Sequence, residues 1–163
     1  SSRAFPRTRY RCSADPMTPA ELDARLHFAV TAARRAGDLA LSYARDPARM
    51  AVESKGVQDL VTAADKAVEA ALRSEVATAY PRDAMLGEEE GITPGWDGRA
   101  PLWIVDPIDG TANFARRIPV WCVSIGLVLD GEPVLGVIHA PALGETHAAA
   151  RGPIPQGAVI LFP

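Results

Sequence analysis

The pattern of this chain predicts an α+β fold, with helices packed on an antiparallel sheet. Three observations carry that expectation. Two long segments with helical periodicity come first, and apolar runs bounded by turn residues follow. Helices and strands are therefore segregated along the chain, which argues layering and not a regular β-α-β alternation. The 163 residues are 48% hydrophobic, enough for one domain with a single core.

The first helix is expected from Pro19 to Ala44. Thr18 can cap it, Pro19 suits its first position, and Glu21 can close a capping box. Leu22, Leu26, Val30, Ala33, Gly37 and Leu41 recur at helical spacing, and Asp46-Pro47 ends the run. Met50 to Gly56 reads as a short strand entering a loop. A second helix begins after Thr62, with Asp65 three residues on, and Pro81 stops it. Its buried face is expected to hold Ala64, Ala67, Val68, Ala71, Leu72, Val76 and Ala79. Met85-Leu86 forms a strand that delivers Gly87-Glu88-Glu89 at its end, and 91–101 reads as a Gly- and Pro-rich loop. Leu102–Val105 is a buried strand. Val120–Leu129 and Pro133–His139 flank Asp130-Gly131, a hairpin signal, and Glu145–Ala150 adds a further strand.

Composition narrows the function classes. A net charge of −3 leaves no basic footprint for nucleic acid, and no uninterrupted apolar stretch is long enough to cross a bilayer. Two cysteines, Cys12 and Cys122, make no disulfide framework, which fits a reducing cytoplasm. Cys122 reads as a small buried hydrophobe and Trp103 as core; Trp121 reads either way, and His139 and His147 as structural or surface histidines. Residues 1–16 carry Arg3, Arg7, Arg9 and Arg11 with no acid before Asp15. The expectation is a disordered extension ahead of a natural start at Met17, with a transit peptide as the alternative.

The most informative stretch is Leu102-Trp103-Ile104-Val105-Asp106-Pro107-Ile108-Asp109-Gly110-Thr111-Ala112-Asn113-Phe114. An apolar strand delivers one carboxylate, a proline stiffens the exit, and a second carboxylate follows. Gly110 and Thr111 then turn the backbone into a helix start. Hard oxygen ligands beside backbone N–H groups suit divalent cations and a phosphate. Asp-Pro and Asp-Gly are also ordinary turn dipeptides, so either acid alone is readable as a turn residue.

Together with Lys55…Asp59-Leu60-Val61-Thr62…Asp65 and Gly87-Glu88-Glu89, in that order, this run resembles the inositol monophosphatase family of magnesium-dependent, lithium-sensitive sugar phosphatases. The resemblance continues through Val123-Ser124-Ile125-Gly126 and Gly136-Val137-Ile138 and spans residues 18 to 152. It implies the N-terminal half of a layered αβαβα fold over 17–152. The family's second half carries a Trp-Asp motif near its start, and that pattern is not met in the tail at 153–163. Residues 153–163 are expected not to replace that half as cover for the sheet: they are too few, and Pro153, Pro155 and Pro163 remove ladder donors.

The resemblance also implies roles. Glu88, Asp106 and the Ile108 carbonyl would hold a first Mg2+, and Asp106 would bridge to a second, also bound by Asp109; the family uses two or three ions. Thr111 would orient the attacking water, with its hydroxyl held by Asp65. Gly110 and Thr111 N–H groups would receive the phosphate, and Asp109 could touch a substrate hydroxyl. Lys55, Asp59 and Glu89 would support a weaker metal position. Each role has a plainer alternative: Asp65 as the capping acid of its helix, Lys55 as a surface lysine, Glu88-Glu89-Glu90 as a solvated acidic run. Those three acids follow a strand-ending glycine with no compensating base nearby in sequence, which favours metal for Glu88.

The implied activity is Mg2+-dependent hydrolysis of a phosphate monoester of a small sugar or polyol, with inositol monophosphate first. Ala112-Asn113-Phe114 is similar to the inositol branch and unlike the Lys-Glu-Phe of nucleotidases. Histidinol-phosphate and fructose-1,6-bisphosphate phosphatases are the alternatives within the superfamily. A non-catalytic metal-binding or interaction fragment is the alternative of another class. A small-molecule substrate, no nucleic acid, no membrane and an optional homodimer complete the expected partners.

Overall fold

The computed structural model describes residues 17–45, 52–54, 60–152 and 160–162. The element order is α1 (Pro19–Arg45), β1 (Val52–Ser54), β2 (Leu60–Thr62), α2 (Ala63–Ala79), β3 (Ala84–Gly87), β4 (Gly91–Ile92), β5 (Leu102–Asp109), α3 (Thr111–Ala115), β6 (Cys122–Leu129), β7 (Glu132–Ala140), β8 (Glu145–Ala150) and β9 (Ile160–Phe162).

α1 starts where its capping box places it. The Thr18 N–H and hydroxyl both donate to Glu21 Oε2 at 2.8 Å, and the Glu21 N–H donates back to Thr18 Oγ1 at 3.2 Å. These reciprocal bonds occupy donors that the first helical turn leaves free. α1 and α2 pack on each other, and both lie on one face of the sheet, α1 across β6, β7 and β8 and α2 across β3 and β5. Alternate residues of the strands face them: Val123, Ile125 and Leu127 from β6, Leu135 and Val137 from β7, Ala148 from β8. The core also closes over Trp103, fully buried, which meets Phe28 and Tyr80 edge-on or tilted at centroid distances of 5.5 and 5.6 Å. Trp103 Nε1–H donates to Asp83 Oδ2 at 3.0 Å, and Arg25 pairs with that carboxylate at 3.4 Å. Trp103 is thus core, and its one polar atom is satisfied.

The large sheet has seven strands in the order β4-β3-β5-β6-β7-β8-β9, while β1 and β2 form a separate antiparallel pair. The expected hairpin is present. Asp130 and Gly131 sit at φ 53° and 78°, the paired positive values of a two-residue turn that matches strand twist. β6 and β7 pair with Gly126 opposite Gly136 and lie at the middle of the sheet.

Several expectations change. The sheet is mixed, because β3 runs parallel to β5, with Ala84 opposite Leu102 and Gly87 opposite Val105. The stretch 91–101 is not wholly loop: Gly91–Ile92 pairs antiparallel with β3 at the sheet edge. β5 continues past Val105 to Asp109, since Pro107 sits at a bulge where no ladder donor is required. β6 begins at Cys122 and not at Val120. In the tail, Ile160–Phe162 pairs with β8 despite the prolines, which precede and follow that apolar run. On α2, Ala79 is exposed while Asp65 and Glu69 are buried. No helix among the described residues is long and apolar enough to cross a membrane.

Candidate active site

The parallel pairing of β3 and β5 brings two strand ends to the same edge of the sheet. Gly87 lies opposite Val105, so Glu88 leaves β3 beside the position where Asp106 continues β5. The bulge then completes the juxtaposition. Asp106 pairs with Ser124 and Asp109 with Cys122, so three steps on β5 match two on β6. In a regular strand, residues three apart point to opposite faces. The extra residue reverses that parity. Pro107 and Ile108 both turn inward, and Asp106 and Asp109 share the open side.

The charge field reflects this proximity. The Asp106 carboxyl is pushed up to about 6, first by burial, then by the negative charges of Glu88 and Asp109 and, more weakly, Asp65, against a backbone hydrogen bond from Ile108 that favours the anion. Its Oδ1 is buried with no hydrogen-bond partner. As they stand, no three His, Cys, Asp or Glu side chains among the described residues are gathered tightly enough to hold a metal ion. The donor chemistry nevertheless fits a hard divalent cation: carboxylate oxygens share one field, one of them is an orphan, and a positive charge is what both features lack.

Asp65 occupies the first turn of α2, 3% exposed, where the helix N-terminus favours an anion. Thr111 begins α3. Its hydroxyl donates to the Ile108 carbonyl at 2.9 Å. The local reason is the tight turn at Gly110, which folds Thr111 back over the end of β5. Gly110 has φ 97°, and a Cβ there would meet the Val120 carbonyl at 3.1 Å and Trp121 Cβ at 3.3 Å. Only glycine suits both demands. Asn113 Nδ2 donates to that same Val120 carbonyl at 2.8 Å, and Phe114 meets Trp121 edge-on at 4.9 Å. Trp121 is therefore a buried anchor for α3. The Asn113 and Phe114 N–H groups both reach back to the Gly110 carbonyl, at 2.8 and 3.0 Å.

Cys122 differs from the hydrophobe expected. It is half-buried and its thiol points at Asp109 Oδ2, 3.8 Å away. Burial and the Asp109 charge push it up to about 11, so it is a neutral thiol. His139 is buried, with Nδ1 at 3.0 Å from the Glu145 carbonyl and 2.9 Å from Thr146 Oγ1. His147 lies beside Glu145 at 3.4 Å. Neither belongs to the acidic centre. Lys55 and Asp59 lie outside the described residues.

Sequence reasoning missed two residues. Glu69 is fully buried and Arg73 pairs with it at 2.9 Å. Arg73 also lies 3.0 Å from Glu90, so the acidic run does have a compensating base, supplied by α2 from a distance in sequence. The signal was available: Glu69 falls in helical register with Asp65, Leu72 and Val76, and Arg73 follows it by four.

The fold defines an α+β protein with helices on one face of a mixed sheet and acids on one side of a strand bulge. The model of the inositol monophosphatase family matches residues 21–160. An inositol monophosphatase of Dictyostelium discoideum is 41% identical over 134 residues, 80% of this chain and 48% of that protein. A histidinol-phosphatase of Mycobacterium tuberculosis is 51% identical over 92 residues, 56% of this chain and 35% of that protein. The crystal structure of the extragenic suppressor protein suhB from Bartonella henselae superposes with a TM-score of 0.75 at 34% identity, covering 85% of this chain and 51% of that one. The chain belongs to the inositol monophosphatase family. It spans about half the length of the relatives it matches.

Proposed function

We propose that this chain carries the acidic half of a Mg2+-dependent phosphate monoester hydrolase centre, acting on a small phosphorylated polyol such as inositol monophosphate. The observation that carries the reading is the bulge at Pro107. It puts Asp106 and Asp109 on one side of β5, beside Glu88, and leaves Asp106 Oδ1 unpartnered. Glu88, Asp106, Asp109 and the Ile108 carbonyl would hold the metal, two or three ions in all. Bound there, the cations would supply charge neutralisation at the phosphate and an acidified water.

The chain's own groups do the rest. Thr111 presents a hydroxyl whose oxygen, once its proton is donated to Ile108, remains an acceptor for the proton of an attacking water. Asp65, in the first turn of α2, would orient Thr111. Gly110 and Thr111 offer backbone N–H groups to phosphate oxygens at a turn that a side chain would block. Asp109, exposed at the end of β5, reaches a substrate hydroxyl. Lys55, Asp59 and Glu89 support a further, weaker cation. A second substrate, histidinol phosphate, is favoured by the 51% identity to a histidinol-phosphatase over 92 residues.

Calorimetric titration of the chain with Mg2+, with and without Asp106→Asn, tests the centre. Saturable binding lost in the variant supports it. Equal binding by both proteins removes Asp106 from the site. Hydrolysis of inositol monophosphate against histidinol phosphate, measured on a family-length protein containing this segment, decides the substrate.

A further inference from the structure

We propose that Glu69 is a positioning residue for Glu88: its buried carboxylate grips the backbone of the turn after β3 and so aims Glu88 at the acidic centre. The proposal rests on the reading of Glu88 as a metal ligand. Glu69 stands on α2, one turn after Asp65, and is fully buried. Its Oε2 accepts the Glu89 N–H at 2.7 Å, and its Oε1 accepts the Glu90 N–H at 3.0 Å and Arg73 Nη2 at 2.9 Å. The residues directly after Glu88 are thus tied to the helix by their main chain, while the Glu88 side chain stays exposed.

Arg73 completes the brace. Its Nη2 also donates to the Gly91 carbonyl at 2.9 Å. Its Nε lies 3.0 Å from Glu90 Oε2, an ion pair without hydrogen-bond alignment. Both ends of the 87–91 turn are therefore held from one helix. Gly87 belongs to the same device. Its φ is not in the left-handed region, so its absent side chain serves space alone: a Cβ there would fall on the Glu69 carboxyl. A buried carboxylate is costly unless paired and hydrogen-bonded, and this one is both. Nothing in the core needs a charge at that position. What the charge does is order two N–H groups next to Glu88.

Glutamine at this position keeps the shape but turns one acceptor into a donor, facing either the Glu89 N–H or both the Glu90 N–H and Arg73. Glu69→Gln should therefore loosen the turn without emptying the core. Three measurements on the 163-residue chain test this. In the unaltered protein, the Glu89 and Glu90 amides should exchange with deuterium far more slowly than those of the open turn at 95–98. Mn2+ affinity, read by electron paramagnetic resonance, should fall about tenfold in Glu69→Gln and at least as much in Glu88→Gln. The double variant should bind no more weakly than Glu88→Gln alone, because Glu69 acts only through Glu88. Exchange of the two amides as fast as that at 95–98 overturns the brace, even if the variant fails to fold. Additive losses, or a loss in Glu88→Gln with none in Glu69→Gln, overturn the positioning role alone. Unchanged Mn2+ binding in Glu88→Gln overturns the metal reading, and the proposal with it.

Discussion

Asp106 concentrates the tension of the site in one carboxyl. Burial and three neighbouring acids push it up to about 6, above the value near 4 that an unfolded chain would give it. The fold therefore binds a proton there more tightly than the unfolded chain does. Its stabilising contribution is complete below pH ~4 and is lost as pH rises through ~6. Metal-free protein should gain stability on acidification between those limits, by about 1 kcal/mol from this group once solvent screening of a half-exposed carboxyl is allowed for. Asp106→Asn should flatten that part of the profile and raise the melting temperature at neutral pH, while Mg2+ no longer stabilises the variant. Thermal melts across pH 4–8, with and without Mg2+, read both effects. A variant that keeps the wild-type pH slope would show that other acids cause it. Thr111 calls for kinetics instead. In a family-length protein, Thr111→Ala should lower kcat by tenfold or more with little change in KM, as expected for a group acting on the water and not on the ester. A pure KM effect would reduce Thr111 to a phosphate contact.

At the scale of elements, two turns differ in why they need glycine. Gly131 has φ 78° with open space around it, so Gly131→Ala should cost only the backbone conformation, about 1 kcal/mol. Gly110 has φ 97° and also presses on the Val120 carbonyl at 3.1 Å. Gly110→Ala should cost about 2–4 kcal/mol and displace Thr111 as well. Urea denaturation of the two variants checks the difference, and equal losses would show that the Val120 contact is slack. The same contrast between local and distant causes explains what was legible. The α1 capping box, the Asp130-Gly131 hairpin and the strand before Glu88 were readable because neighbouring residues decide them. The parallel partnership of β3 with β5 was not, since no short-range pattern records which strand lies beside which. Nor was the Arg73 that neutralises Glu90, because it arrives on another element. The bulge fell between: Pro107 announced a break in the ladder, but only the register against β6 shows that it turns Asp109 to the side of Asp106.

Among the described residues, helices cover one face of the large sheet and none packs on the other. Helices hide Val123, Ile125, Leu127 and Val137, whereas Ile104 and Ile138 on the opposite face are 41% and 48% exposed. Beside Ile138 runs a shallow groove floored by Ser124, Gly126, Gly136 and Ala149, small residues that leave room for an apolar partner. The last strand, Ile160–Phe162, covers the edge of β8 but not this face. Exposed apolar surface of this kind drives association. The 163-residue chain should aggregate at micromolar concentration and hydrolyse substrate poorly, and a family-length protein containing it should stay dispersed, as a monomer or dimer, and turn over substrate. Light scattering and a phosphate-release assay decide the matter: a monomer as active as a full-length relative would show that this segment is a sufficient catalytic unit.

The parallel pair β3 and β5 has a different consequence for change. Two strands that run the same way must be joined by chain that travels back outside them, and here that return is 91–101 at the sheet's outer edge. Gly95 and Gly98 stand in open space on it, and the tethers that order the turn at Glu88 reach no further than Gly91. Extra residues between Gly95 and Gly98 would lengthen the detour without shifting either strand end. This segment is therefore where the protein can accept an inserted peptide, a fluorescent reporter or an affinity handle while its acidic centre keeps its register. It is equally where relatives could diverge in length at little cost to the chemistry.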